Sequence, residues 1–273
     1  MIRKDYRAEP VKRMVVMGES NAYGMCAGYS RNEWVTALAD CIREFQDEPL
    51  QVFNNAIPSN VICQASPGYH ESNLYATVPS ALDRLEDDMI AYRPDLAVYA
   101  YGLNDSRCGH NLKSFIGAYA TIVEKTRAAF PDALVVLVSP YWNLQYDSET
   151  WAQPEYAESR NGVFDRGGDD LVLSYVQAIS DLAVETGALF VDVYSLLEGA
   201  SWLLHKDACH FNDIGQRMIG LHIFCQIAAS CSFLALKSKK IEDSFNTTIH
   251  NTGGTSCLPH VINEWRKVDD LKL

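Results

Sequence analysis

Two short segments far apart in the chain hold side chains that could together perform nucleophilic catalysis. One is DACHFNDIGQR, Asp207 to Arg217, with a carboxylate three residues before a histidine; the other is VVMGESNAYG, which contains Ser20. A free serine hydroxyl is a poor nucleophile and needs a base within about 3 Å to take its proton. Histidine suits that task because its ordinary pKa of about 6.5 lies near working pH. His210 is the candidate base. Asp207, three residues back on the same segment, could fix the tautomer of that base and stabilise the imidazolium that forms.

A tetrahedral intermediate also needs hydrogen-bond donors aimed at its oxyanion, each worth on the order of 3 kcal/mol. The segment PDLAVYAYGLNDSR offers one. Its run Leu96 to Tyr101 reads as a buried strand, and Gly102 to Asp105 turn off its end, which predicts that the Asn104 amide enters the same crevice as Ser20. Ser20 itself follows the apolar run Met14 to Met17 and Gly18. It is therefore expected on a turn at the carboxyl end of a strand, where ligands bind in open α/β sheets.

With these residues in place, the chain resembles the SGNH/GDSL hydrolases, a family of serine esterases, lipases, thioesterases and carbohydrate deacetylases. The first signature block, usually GDS, appears as Gly18-Glu19-Ser20, with glutamate in place of aspartate. The GxND block is Gly102-Leu103-Asn104-Asp105, and the DxxH block is Asp207 and His210, followed by Asn212 and Gly215. The resemblance covers about residues 13 to 220. It implies a backbone oxyanion donor after the second strand, where the family has glycine. Ser59 in VFNNAIPSNV and Gly68 in QASPGYHES compete for that position, and Ser59 lies at the family's usual offset. The implied oxyanion hole is then Ser20, Ser59 (or Gly68) and Asn104. Taken singly, a GxS turn, an exposed Asp–His pair and a GxND turn are ordinary surface features. Their joint occurrence in family order favours the catalytic reading.

The elements that must position these residues alternate. Strands are expected near 13–18, 50–55, 95–101, 133–139 and 188–193, and helices near 31–46, 78–92, 112–130, 170–186 and 213–235. Such alternation predicts an α/β fold, a three-layer α/β/α sandwich of flavodoxin-like type with a five-stranded parallel sheet. The catalytic domain is placed at 1–236. Residues 237–273 form a charged and polar C-terminal extension in which Ile262, Trp265 and Val268 suggest a short amphipathic helix, read as a contact in a homo-oligomer.

Composition excludes some functions. The 35 acidic against 23 basic residues give a formal net charge of −12, which disfavours nucleic acid or an anionic membrane as partner and favours a small neutral ester. The eight cysteines include no CxxC pair and read as reduced thiols, Cys209 among them as a packed one. His70, His110 and His205 read as bystanders, since nothing has a metal-binding spacing, so neither a metal nor any other cofactor is expected. MIRKDYRAEPVKR lacks an apolar core of the secretory kind, which predicts a cytoplasmic protein. The apolar stretch Ile219 to Leu236 is read as a buried core helix rather than a membrane span.

Two loops are expected to shape the pocket. The connection Ser139 to Gly162 is long for an α/β unit and carries Trp142, Tyr146, Trp151 and Tyr156, which could stack on a sugar ring or an aryl acid or, equally, tie the long loop down. Tyr69, His70 and Tyr75 could form the opposite wall. The family resemblance, with the aromatic and acidic character of the chain, points to short acyl esters, first of all O-acetylated carbohydrate. A lipid or thioester substrate, an acyl transfer to a non-water acceptor, and a non-catalytic binding module are the alternatives.

Overall fold

The computed structural model describes residues 4–46, 48–71, 78–144 and 169–235. Five parallel strands form one sheet: β1 (Arg13–Gly18), β2 (Gln51–Asn54), β3 (Leu96–Ala100), β4 (Leu134–Val138) and β5 (Leu189–Val191), in the order β2-β1-β3-β4-β5. This is the doubly wound arrangement expected from the strand and helix alternation. Its switch in strand order falls between β1 and β3, so the crevice at their carboxyl ends is the natural ligand site.

The apolar runs are continuous rather than alternating because both faces of the sheet are covered. Met14 and Val16 of β1, Leu96, Val98 and Ala100 of β3, and Val136 and Val138 of β4 point to one side. There they pack with Trp34, Leu38 and Ile42 of the helix Trp34–Gln46 and with Ile219, Ile223 and Ile227 of the helix Asp213–Ser230. Val15, Met17, Ala97, Tyr99, Val135 and Leu137 point to the other. Their partners are Phe115, Tyr119 and Ile122 of the helix Leu112–Ala129 and Tyr175, Ile179 and Leu182 of the helix Asp169–Thr186. Burial of a large aliphatic or aromatic side chain is worth about 1.5–3 kcal/mol, so these two cores hold the sandwich together.

Two helices depart from expectation. The segment expected to be helical over 78–92 contains only Leu85–Asp88 and a 3₁₀ turn, Ile90–Tyr92. Ser80 and Asp83 bond each other instead (Oγ to Oδ2, 2.7 Å), and the Arg84 guanidinium is drawn inward to Tyr101 and the Asn55 carbonyl. Side-chain bonds of this kind compete with a helical ladder. The last helix stops at Ser230 because Cys231 is extended (φ −133°, ψ 126°). The Tyr6 N–H takes the Ser230 carbonyl at 3.0 Å, and Asp5 caps the new turn at the Ser232 N–H. Among the described residues no helix is long and apolar enough to cross a membrane. The chain divides at Lys237 into two units, the second, Ser238–Leu273, lying outside the described residues.

Candidate active site

β1 ends at Gly18, where the chain turns sharply into a short helix that begins with Ser20. A Cβ on Gly18 would lie 2.7 Å from that of Ala22 and 3.0 Å from the Ala100 carbonyl, so only glycine lets the turn close against β3. As the first helical residue, Ser20 has no intrahelical acceptor for its own N–H. The neighbouring register pairs Gly18 with Ala100, and β3 leaves the sheet beside it through Gly102, whose φ of +119° again calls for glycine.

Glu19 joins the two turns. Fully buried, its carboxylate accepts the Gly102 N–H at 2.9 Å and the Asn104 N–H at 3.3 Å. Burial, then the nearby Asp105 charge, push the Glu19 carboxyl well above the usual carboxylate range, against the pull of those two donors and Arg107. Asp105, also fully buried, braces the loop from its other side. It accepts the Ile62 N–H at 3.0 Å and faces His110 Nδ1 at 2.9 Å.

The third part arrives on the loop after β5. The His205 N–H donates to the His210 carbonyl at 2.7 Å, and Ala208, at φ 61°, turns the chain between them. Inside this tight loop Asp207 Oδ1 accepts the backbone N–H groups of Cys209 and His210, each at 3.0 Å, while Oδ2 lies 2.6 Å from His210 Nδ1. His210 Nε2 lies 2.8 Å from Ser20 Oγ. Burial opposes charge on Asp207, but the hydrogen bonds and electrostatic attraction from His210 outweigh it and hold its carboxyl well below the usual range. An ionised carboxylate at Nδ1 places the ring proton there and leaves Nε2 to accept from the serine. The arrangement can remove a proton from Ser20 and stabilise the imidazolium that results.

The Asn104 amide donates one of its two protons to the Asn60 carbonyl at 3.0 Å, leaving the second for a ligand. That bond sets Asn104 against the Asn60–Val61 peptide, one residue beyond Ser59. Ser59 adopts φ 59°, the left-handed conformation that a glycine favours, and its N–H has no acceptor among the described residues. Gly68 instead opens the short helix Gly68–Glu71. Asn60 is fixed in turn by Tyr101 (3.1 Å) and Arg84 (3.3 Å) at its Oδ1 and by the Pro79 carbonyl at its Nδ2 (3.0 Å). Asn60, Arg84 and Tyr101 were not singled out in the sequence, because no spacing marks residues that act by holding a peptide in place.

Trp142, expected at the pocket, is instead buried (8% exposed) in the core on the side of the Trp34–Gln46 helix. Tyr69 is half-buried on the short helix Gly68–Glu71. Tyr75, Tyr146, Trp151, Tyr156 and the His70 side chain lie outside the described residues. Cys209 is a packed thiol whose pKa burial pushes up to about 11. All seven cysteines among the described residues are unpaired. A cavity of 780 Å³ lined by Arg7, Arg13, Asp95 and Arg127 sits at the amino ends of the strands, away from Ser20.

A model of the GDSL-like lipase/acylhydrolase family matches residues 16–218, which span Ser20, Ser59, Asn104, Asp207 and His210. The chain belongs to that family. It is accordingly a carboxylic ester hydrolase. Solved structures of the same fold include a psychrotrophic esterase from Pseudoalteromonas sp. (21% identity, 80% of this chain and 97% of that one, TM-score 0.55). A lipase/acylhydrolase from Enterococcus faecalis matches at 18% identity over 84% of this chain and 99% of its own, with a TM-score of 0.57. A catalytic mutant of an acetylxylan esterase from Geobacillus stearothermophilus matches at 17% identity, over 84% and 97%, with a TM-score of 0.55. Comparison with curated proteins finds no match.

Proposed function

We propose that this GDSL-family hydrolase is a serine esterase acting on short acyl esters, in the first place O-acetyl groups on carbohydrate. The observation that carries the mechanism is the continuous relay from Ser20 Oγ to His210 Nε2 at 2.8 Å and from His210 Nδ1 to Asp207 Oδ2 at 2.6 Å. Ser20 attacks the ester carbonyl as His210 takes its proton. His210 returns that proton to the leaving alcohol, and Asp207 orients the ring throughout. The N–H groups of Ser20 and Ser59 and the Asn104 amide receive the oxyanion. Water, activated by the same histidine, then frees the acid.

The carbohydrate preference draws support from the net charge of −12, which suits a neutral substrate, and from the acetylxylan esterase among the structures of like fold. The test is hydrolysis of p-nitrophenyl acetate, butyrate and octanoate, followed by acetylated xylo-oligosaccharides. Turnover confined to the short esters and to the sugar acetates is the expected result. Preference for octanoate would replace this reading with a lipid or thioester hydrolase, and no turnover of any ester would replace it with an acyltransferase or a binding module.

A further inference from the structure

Beside the relay, three potential metal ligands meet at Asp207 that sequence spacing does not bring together. Cys26 Sγ lies 3.6 Å from Asp207 Oδ2, and His205 Nδ1 lies 3.8 Å from the same oxygen. One donor atom from each residue falls within 4.8 Å of the others. His205 Nδ1 is itself shielded from solvent and has no hydrogen-bond partner among the described residues. An unpaired buried ring nitrogen is costly and calls for a partner. All three residues are only partly buried, so an ion from solvent can reach them.

We propose that Cys26, His205 and Asp207 form a binding site for a thiophilic divalent cation such as zinc, and that filling it switches the esterase off. In a tetrahedral zinc site, bonds of about 2.3 Å to sulfur and 2.0–2.2 Å to nitrogen and oxygen set neighbouring ligand atoms about 3.3–3.7 Å apart. The two distances to Asp207 match that spacing to within a small side-chain adjustment. One sulfur, one imidazole and one carboxylate suit a borderline-soft ion, whereas calcium and magnesium require shells of oxygen. Water completes the fourth position. On binding, the Cys26 S–H bond breaks, its proton leaves to solvent and a sulfur–metal bond forms, with no change of oxidation state.

The consequence for catalysis follows from charge. Asp207 Oδ2 is the atom that faces His210 Nδ1. A dication on that oxygen cancels the negative charge that would stabilise the imidazolium and opposes the positive charge that His210 acquires. The sequence offered no hint of this, since the ligands come from positions 26, 205 and 207 and only the loop closure after β5 brings them to one place. The binding is independent of the proposed function; the inhibition rests on it.

Binding and inhibition are tested separately on the full chain. Zinc is titrated calorimetrically, and cadmium by its thiolate charge-transfer absorbance, into the wild type, Cys26→Ala and His205→Ala. The expected result is one site in the wild type, binding at least tenfold weaker in each variant, and no thiolate band at that site in Cys26→Ala. Half-buried Cys41 and exposed Cys225 serve as internal controls, because any binding they support survives both substitutions. With p-nitrophenyl acetate, zinc should lower wild-type kcat roughly a hundredfold, within the ~10⁴-fold cost of losing the triad carboxylate's charge. Chelation should restore the rate, and both variants should keep the wild-type rate with and without zinc. Absence of binding to the wild type, the same affinity and number of sites in the wild type and both variants, or inhibition that survives both substitutions, overturns the proposal. Should no ester be turned over even without metal, the functional reading fails. The low-field proton resonance of His210 Nδ1–H then decides the switch: its loss on zinc binding supports it and an unchanged signal overturns it.

Discussion

Asp207 holds His210 twice, taking its backbone N–H on Oδ1 at 3.0 Å and its ring nitrogen on Oδ2 at 2.6 Å. A single carboxylate thus fixes both where the histidine sits on the loop and which way its ring faces. Asp207→Asn should preserve much of the loop geometry while removing the charge. We expect kcat to fall by up to about 10⁴-fold with little change in KM, read from steady-state ester hydrolysis. A loss under tenfold would mean that His210 does not depend on this partner.

Ser20→Ala should abolish turnover and leave the thermal midpoint close to that of the wild type, since among the described residues the hydroxyl bonds only to His210. Retained hydrolysis well above the residual rate would remove Ser20 from the nucleophile's role.

Asn104→Ala should lower kcat by about 10²-fold or more with KM nearly unchanged if the free amide proton meets the oxyanion. At Ser59 only the N–H is required, and φ 59° strains any residue with a Cβ. Ser59→Gly should therefore keep activity within a few-fold and stabilise the fold by up to about 1 kcal/mol, measured by urea unfolding. A large loss of activity in Ser59→Gly would assign the serine side chain a role that the oxyanion reading lacks.

Glu19→Ala would leave the buried N–H groups of Gly102 and Asn104 without their acceptor, at a cost of about 1–3 kcal/mol each. Glu19→Gln keeps an acceptor oxygen and should retain more stability and more activity. Equal unfolding midpoints for the two variants would show that these bonds do not hold the turn.

His110 supplies a pH dependence. Burial works against its charge, but the hydrogen bond to Asp105 prevails and raises its pKa to about 9. A raised histidine pKa contributes stability that is complete below the unfolded value of about 6.5 and is lost as pH rises through about 9. The thermal midpoint should fall between pH 6.5 and 9.5 in the wild type, and His110→Asn should flatten that slope. An identical slope in the variant would place the titration elsewhere.

Much of this protein was legible in its sequence. Apolar runs of strand length separated by helix-length segments pointed to a covered parallel sheet, because helical crossovers between strands lie on its two faces and bury both. Ser20, Asn104, Asp207 and His210 stood out as candidates because their residue types and short-range spacing suit nucleophilic catalysis, and the structure lines up Ser20, His210 and Asp207. Only the tertiary structure decided what depends on contacts between distant segments. It set Glu19 under the Asn104 turn and gave Ser59 its left-handed backbone. It buried Trp142 in the core, where the sequence offered an aromatic for stacking. It also brought Cys26 to within 3.6 Å of Asp207 across 181 positions of chain. Hydrophobic patterning records which face a residue takes, but side-chain partners are chosen by packing among elements whose approach no local pattern encodes.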